Sequence, residues 1–380
     1  MKLTDVVNRI NGNVDRFTTD LEYYIGGEHF ESCELEISKR GLIKPNLNIL
    51  GFKFHFAFQE RDVIFMARNP HLRKAGMVLF AGLCSDASYI LRSKDENILT
   101  QEYLAVMLQS DHFWDYCEAH KVGSVNFAIN WKTMANYEFD LPSIEKQNEI
   151  SEKVWSAYRL KQSYKKLIEA TDEIVKSQFI EMFGNPLSSI QKNELKRLGD
   201  CCHINPRRSN VSLNENDLVS FVPMPAVNEN GYIDGATDEE YGKVKKGFTY
   251  FENDDVLFAK ITPCMENGKG AVAEGLTNGI GMGSTEFHIL RPIKGISNPY
   301  WLLALTRMPI FRERAAKNMS GTGGQRRVGS AFLENFMVGL PSISEQDTFE
   351  AIYKQADKSK FELRKSIEAI DAVIKSLINN

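Results

Sequence analysis

One helical stretch occurs twice in this chain, and the repeat constrains the fold more than any other feature. Ser163–Ser177 reads SYKKLIEATDEIVKS and Glu362–Ser376 reads ELRKSIEAIDAVIKS. At a constant spacing of 199 positions and with no gap, Lys166, Ile168, Glu169, Ala170, Asp172, Lys176 and Ser177 return as Lys365, Ile367, Glu368, Ala369, Asp371, Lys375 and Ser376. The register holds upstream, where Leu141-Pro142-Ser143-Ile144 and Gln147 return as Leu340-Pro341-Ser342-Ile343 and Gln346. A period this long exceeds any solenoid unit. It implies two copies of a module made of a domain and a helix.

Both helical stretches carry an apolar seam. In the second, Leu363, Ile367, Ile370, Ile374 and Leu377 step by four and three, and Phe349, Ile352 and Ala356 extend the stripe upstream. In the first, the seam is Ile150, Val154, Ala157, Tyr164, Ile168, Val175 and Met182, interrupted by the polar Lys161, Thr171 and Gln178. A spacing near 3.5 puts these side chains on one face that needs a partner helix. Two amphipathic helices buried on separate domains would also satisfy the pattern; the repeat favours the two helices packing on each other. Gly184-Asn185-Pro186 supplies a stop for the first.

A chain of 380 residues fits two or three domains. Its 43% hydrophobic and 25% charged residues are ordinary for a soluble globular protein. The longest apolar run, near Met77–Cys84, falls far short of the roughly 20 residues of a membrane span, so the expected location is the cytoplasm. The cysteines Cys33, Cys84, Cys117, Cys201, Cys202 and Cys264 form no CxxC. Adjacent Cys201-Cys202-His203 lacks zinc spacing and reads as buried thiols, with no metal expected. A net charge of −4, with no basic block in any segment, leaves nucleic-acid affinity to local patches or to partners that share the phosphate contacts. Binding by the chain alone is expected to be weak.

The segments before each helix read as mixed α/β. Val63–Met66, Met77–Phe80, Leu218–Val222, Asp255–Phe258 and Phe287–Leu290 are strand candidates bounded by turn formers. Each segment closes alike: a helix (Tyr103–Leu108 or Trp301–Leu305), then Phe113 or Phe311, a polar loop, Asn136 or Asn335, and the Leu-Pro entry to the long helix. The loops are Gly123–Ile129 and Gly321–Val328. The middles of the two segments barely match, as expected if each domain reads something different.

These motifs, taken together and in order, resemble the specificity subunit of type I restriction-modification enzymes. The likeness covers essentially the whole chain. LPSIEKQ…KKLIEATDEIVKS and LPSISEQ…RKSIEAIDAVIKS look like the family's two spacer helices. Met66–Gly76, Gln109–Trp114 and His120–Trp131 look like one target-recognition domain; Asp254–Gly270, Gly281–Pro292 and Ser320–Val328 look like another. The resemblance implies an α+β protein: a recognition domain over 1–142, a central helix over 143–186, a second recognition domain over 187–341 and a C-terminal helix over 342–380. The two helices would pack as an antiparallel coiled coil, giving a pseudo-two-fold repeat. It implies a non-catalytic subunit that reads a split target in double-stranded DNA, one half per domain, and docks two methylation subunits and, through them, restriction-translocase subunits. S-adenosylmethionine, ATP and Mg²⁺ would belong to those partners, and no cofactor to this chain. A specificity-like DNA-binding or antirestriction protein acting without the enzyme subunits is the alternative. A helix of about 36 residues spans roughly 54 Å, against the roughly 34–36 Å between half-sites one turn apart. The helix pair would act as a ruler.

In the second domain, Lys260, Thr262, Glu266, Asn267 and Lys269 crowd a loop punctuated by Pro263 and Gly268, and Gly323, Gly324, Gln325, Arg326 and Arg327 form a glycine-rich tip. Arg pairs bidentately with guanine and Gln with adenine, while Lys mostly finds phosphate. Alone, such a tip reads as a surface turn, since no Walker lysine-serine follows it; the resemblance makes DNA contact the leading reading. In the first domain, Arg68, Asn69, His71, Arg73 and Lys74 form the densest basic cluster, and Ser124, Asn126 and Asn130 sit where the glycine-rich loop sits in the second. A solvated charged face is the competing reading there.

Enzymatic readings fare poorly. Asn298-Pro299-Tyr300 is one proline short of a base-flipping methyltransferase motif, no FxGxG precedes it, and it reads as a helix lead-in. Asp254, Asp255 and Lys260 make no convincing nuclease set on paired strands, and a GxSxG elbow is absent.

Overall fold

The computed structural model describes residues 1–124, 127–184, 194–208, 211–322 and 324–379. The chain forms two compact units: Met1–Leu167 with Leu363–Asn380, and Ile168–Glu362. Each therefore takes a share of both long helices.

The long helices run Ile144–Phe183 and Ile343–Asn379. Neither contains Gly or Pro, and Glu, Lys, Ala and Leu favour the helix throughout. At the second start, Ser342 Oγ accepts from Glu345 N at 3.3 Å while the Glu345 carboxylate accepts from Ser342 N at 2.9 Å, a reciprocal cap. The first helix stops at Gly184, whose φ of +75° suits a residue without Cβ and whose N–H reaches Ile180 O at 2.8 Å. Asn185 and Pro186 of the expected stop lie outside the described residues.

In the first unit, strands β1 (Val7–Ile10), β2 (Tyr23–Ile25), β3 (Gly41–Leu42), β4 (Phe54–Phe58), β5 (Val63–Met66), β6 (Ala75–Met77), β7 (Gly82–Ser85) and β8 (Ser88–Ser93) form two sheets. One is antiparallel in the order β1-β8-β5-β6; the other has the order β3-β2-β7-β4, with β2 and β7 parallel. Every residue of β5 is buried, which explains its unbroken apolar run. The strand expected at Met77–Phe80 sits earlier. Backbone bonds join Met77 to Leu35 and Ile37 and Val78 to Arg61 and Asp62, whereas Leu79 is exposed. The core joins Phe65, Leu91, Leu104, Phe113 and Trp114 to Val154, Trp155 and Tyr158 of the first long helix, with Ile374 and Leu377 of the second packed on it.

In the second unit the strands are β9 (Leu195–Arg197), β10 (Cys202–Ile204), β11 (Leu218–Val222), β12 (Thr237–Glu240), β13 (Thr249–Glu252), β14 (Val256–Ala259), β15 (Gly270–Val272), β16 (Ile280–Gly283), β17 (Phe287–Pro292), β18 (Met319–Ser320), β19 (Arg327–Val328) and β20 (Met337–Gly339). The sheets β10-β17-β14-β15 and β12-β11-β16-β13, the latter with β11 and β16 parallel, repeat the topology of the first unit. The middles that barely match in sequence thus share one fold. Asn298 caps the helix Pro299–Arg307, as the lead-in reading expects. Cys201 and Cys202 are buried, their thiols directed at carbonyls of Arg197 and Leu198.

The helix pair is antiparallel within each unit. In the first, Lys161 meets Asp371 at 2.7 Å, and Ile150 lines one groove with Leu377 and Ile378. In the second, Asp172 meets Lys360 at 2.7 Å, and the Phe179 and Phe183 rings pack on Phe349 at 5.3 and 5.6 Å. Ile150, Val154, Tyr164, Ile168, Val175, Leu363, Ile367, Ile370, Ile374 and Leu377 are all buried or half-buried, so the seam faces inward. Lys161 does not interrupt it. Its ammonium is held by Glu34 at 3.3 Å and by Asp371, and Lys360, 199 positions on, is held by Asp172 and by Asp357 at 3.0 Å.

Candidate nucleic-acid interface

A braced sheet lies under the candidate loops of each unit. On the strand entering β5, Asp62 is almost fully buried, and Arg92 of β8 donates to both its oxygens at 2.8 and 2.9 Å. Asp255, entering β14, receives Arg291 of β17 at 2.7 and 2.7 Å. Each carboxylate also accepts a backbone N–H at 2.8 Å, from Gln59 and Glu252. Burial drives the Asp255 pKa upward against the pull of Arg291. Asp255 is thus a brace between β14 and β17.

From this base the chain rises into a loop that closes on itself. In the first unit Met66 N donates to Lys74 O at 2.9 Å, and Asn69 and Arg73 take left-handed φ values of 52° and 48°. In the second, Ala259 N donates to Lys269 O at 3.1 Å around Lys260–Gly268, with Gly268 at φ +79°. The second candidate loop docks on the first in both units through the same bonds. Asn69 N to Phe127 O (2.8 Å) and Ile129 N to Ala67 O (3.0 Å) have as counterparts Thr262 N to Arg326 O (3.0 Å) and Val328 N to Lys260 O (2.9 Å). In the second unit β18 and β19 make a hairpin whose tip is the glycine-rich stretch. The fold therefore brings together both candidate clusters of each unit.

The side chains divide into two groups. Arg73 binds Asp111, with Asp115 at 3.9 Å, and holds the Asp111 carboxyl below the usual range. Lys74 donates to Gly27 O at 3.0 Å, and Asn130 caps the helix Trp131–Ala135 by accepting from Thr133 N at 2.9 Å. Arg327 grips Glu286 with Nε and Nη2, the closest contact 2.7 Å, and depresses its pKa. Thr262 donates to Glu266 at 3.2 Å, and Asn267 to Glu229 at 2.7 Å. Arg73, Lys74, Asn130 and Arg327 thus each have intrachain partners for their donors or acceptors. Arg68, His71, Ser124, Gly324, Gln325 and Arg326 are exposed at the loops, and Lys260 and Lys269 are half-buried beside them. Arg326 spends one nitrogen on the Ala316 and Met319 carbonyls at 3.0 and 3.3 Å. Asn126 and Gly323 lie outside the described residues.

This duplicated arrangement has a counterpart among known sequences. The model of the type I restriction modification DNA specificity domain matches residues 1–170 and 190–371. The chain belongs to this family. The specificity subunits of the type I restriction enzymes EcoEI and EcoAI, both from Escherichia coli, are 35% and 37% identical to it over 188 and 182 residues. Those matches cover 48% and 46% of this chain but only 31% and 30% of the relatives, so the match spans less than a third of their length. Two solved structures share the specificity-domain fold over the whole chain. A chain from work on complex assembly and conformational transition of the type I R-M system has a TM-score of 0.55 at 18% identity, with 95% of that chain covered. The type I restriction-modification S subunit of M. genitalium has 0.58 at 11%, with 94% covered.

Within this specificity-domain chain, sequence reasoning passed over several positioning residues. Gln147 and Gln346, both fully buried, each accept the N–H of a helix-capping residue, Thr100 at 3.0 Å and Asn298 at 2.8 Å. Each also donates to two carbonyls, Ile98 and Pro142 or Ile296 and Pro341. Their recurrence 199 apart was the available signal. Ile90-Leu91-Arg92 and Ile289-Leu290-Arg291 recur at the same spacing and mark the brace. Lys121, 4.4 Å from the Phe127 ring, stiffens the first unit's loop and has no such signal. Among the described residues no helix is long and apolar enough to cross a membrane, and no three His, Cys, Asp or Glu side chains gather as a metal site.

Proposed function

We propose that this chain is the DNA sequence-recognition subunit of a type I restriction-modification complex, reading a two-part target with one half per unit. The observation that carries this reading is the pair of loop platforms, built on the same sheet topology and closed by the same backbone bonds, with different side chains at the crest. A common frame with divergent crests suits two half-sites of different sequence. Arg68 and His71 in one unit, and Gln325 and Arg326 in the other, are the proposed base-edge or phosphate contacts; Lys260 and Lys269 are suited to phosphate. The helix pair is the proposed dock for methylation subunits, which would carry restriction-translocase subunits in turn. S-adenosylmethionine, ATP and Mg²⁺ would act in those partners, where the target adenine is flipped and methylated.

The test is co-purification with a methylation subunit followed by radiolabelled methyl transfer. The complex should methylate DNA, and the chain alone should give no signal above a no-protein blank. Transfer by the chain alone would overturn the non-catalytic reading. Failure to assemble with any methylation subunit would favour a stand-alone DNA-binding protein.

A further inference from the structure

The recognition loop of each unit is fastened to its sheet by a side chain that differs between the units. On β8, the Tyr89 hydroxyl donates to the carbonyl of Ile129 at 2.9 Å. The position 199 further on is His288, on β17, whose Nε2 lies 2.8 Å from the carbonyl oxygen of Val328, the counterpart of Ile129. A carbonyl oxygen only accepts, so Nε2 carries the hydrogen. The neutral ring then accepts at Nδ1 from Asn205 Nδ2 at 2.9 Å, and Asn205 Oδ1 accepts from Ile289 N at 3.1 Å. Tyr89 and His288 are both more than nine-tenths buried.

The two bonds finish the same job. Ile129 and Val328 already donate their N–H groups to Ala67 and Lys260, so the aromatic donor takes up the remaining backbone polar group of each residue. Each ring is stiff and packed: Tyr89 stacks on Phe65 at 6.1 Å and meets Trp131 edge-on at 5.8 Å. The residue type has changed across the repeat while the bond to the equivalent carbonyl has been kept. In the second unit that carbonyl follows Gln325, Arg326 and Arg327 directly.

We infer that Tyr89 and His288 are positioning residues for sequence reading, each setting the height and tilt of one recognition loop without touching DNA. This rests on the proposed reading of one half-site per unit. Tyr89→Phe removes only the hydroxyl, His288→Phe removes the donor, and His288→Gln restores an N–H at a similar reach.

The assay uses the chain assembled with its methylation subunit and duplexes altered in one half of the target at a time, at fixed salt, with thermal melting of each variant. Arg68→Ala and the double variant Gln325→Ala, Arg326→Ala serve as loop controls. Losing one buried hydrogen bond should weaken discrimination about three- to tenfold. Tyr89→Phe should do so in one half only and His288→Phe in the other, with His288→Gln returning toward the parent. Lowered melting with unchanged discrimination, while the loop controls relax their own halves, would overturn the inference alone. If the loop controls also leave both halves unchanged, the loops do not read DNA and the inference falls with that reading.

Discussion

At the scale of single residues, the buried lysines of the seam show how polar groups specify a helix pair. Lys161 and Lys360 sit inside it and reach the aspartates Asp371 and Asp172 of the facing helix, the same pairing made in each unit. Removing one partner of a buried pair strands the other. Lys360→Ala is expected to cost about 3 kcal/mol, the low end for such a loss because Asp172 keeps some solvent. Lys360→Met combined with Asp172→Asn should cost much less; denaturant unfolding of both variants checks this. Glu286 offers a pH signature. Arg327 holds its folded pKa below the ordinary value, assisted by Lys260. The stabilisation is therefore complete above the unfolded glutamate value, about 4.3, and is lost as pH falls through the folded value. Glu286→Gln should flatten the acid limb of stability against pH in that window, as measured by urea midpoints across a pH series. Lys161 read as an interruption of the first seam, because a lysine in an apolar stripe shows its partner only in three dimensions; its recurrence as Lys360, 199 positions on, was the available signal. Tyr89 and His288 lie directly before the recurring Ile-Leu-Arg triplet, but their shared bond to one loop carbonyl shows only in three dimensions.

At the scale of elements, the long helices were the most legible part of the molecule. Their apolar seams, uninterrupted by Gly or Pro, mark long amphipathic helices, the repeat favoured a pair, and the helices run Ile144–Phe183 and Ile343–Asn379. Ile367 sits half-buried in that seam. A carboxylate there has no partner, so Ile367→Asp should cost several kcal/mol by lost packing and desolvation. The expected result is insoluble protein or loss of methylation-subunit binding; a variant that still assembles and reads the same target would refute the role given to the seam. The central strands were legible too, because β5, β14 and β17 carry dense apolar runs. Sheet order was not. The parallel pairs β2–β7 and β11–β16 join strands with four other strands between them in the chain, and nothing local encodes those partners. Of the candidate DNA contacts, the loops were located correctly as surface features, but charge alone could not separate Arg68, exposed, from Arg73, neutralised by Asp111.

At the scale of the whole molecule, duplication of the frame with divergence of the crests is what links structure to a split target. Arg326→Ala should cost about 1–3 kcal/mol if its guanidinium grips a guanine edge, and should relax one half-site while leaving the other intact. Arg73, bound by Asp111, should instead act through stability of the first unit. The most direct measurement is a map of modified adenines in a host that lacks other adenine methylases and expresses this chain with its methylation subunit, repeated with Arg326→Ala. A two-part asymmetric motif with an unspecified spacer, degraded in one part only by the substitution, is the predicted result. A single contiguous motif, or equal relaxation of both parts, would contradict the account and require the two units to form one composite site.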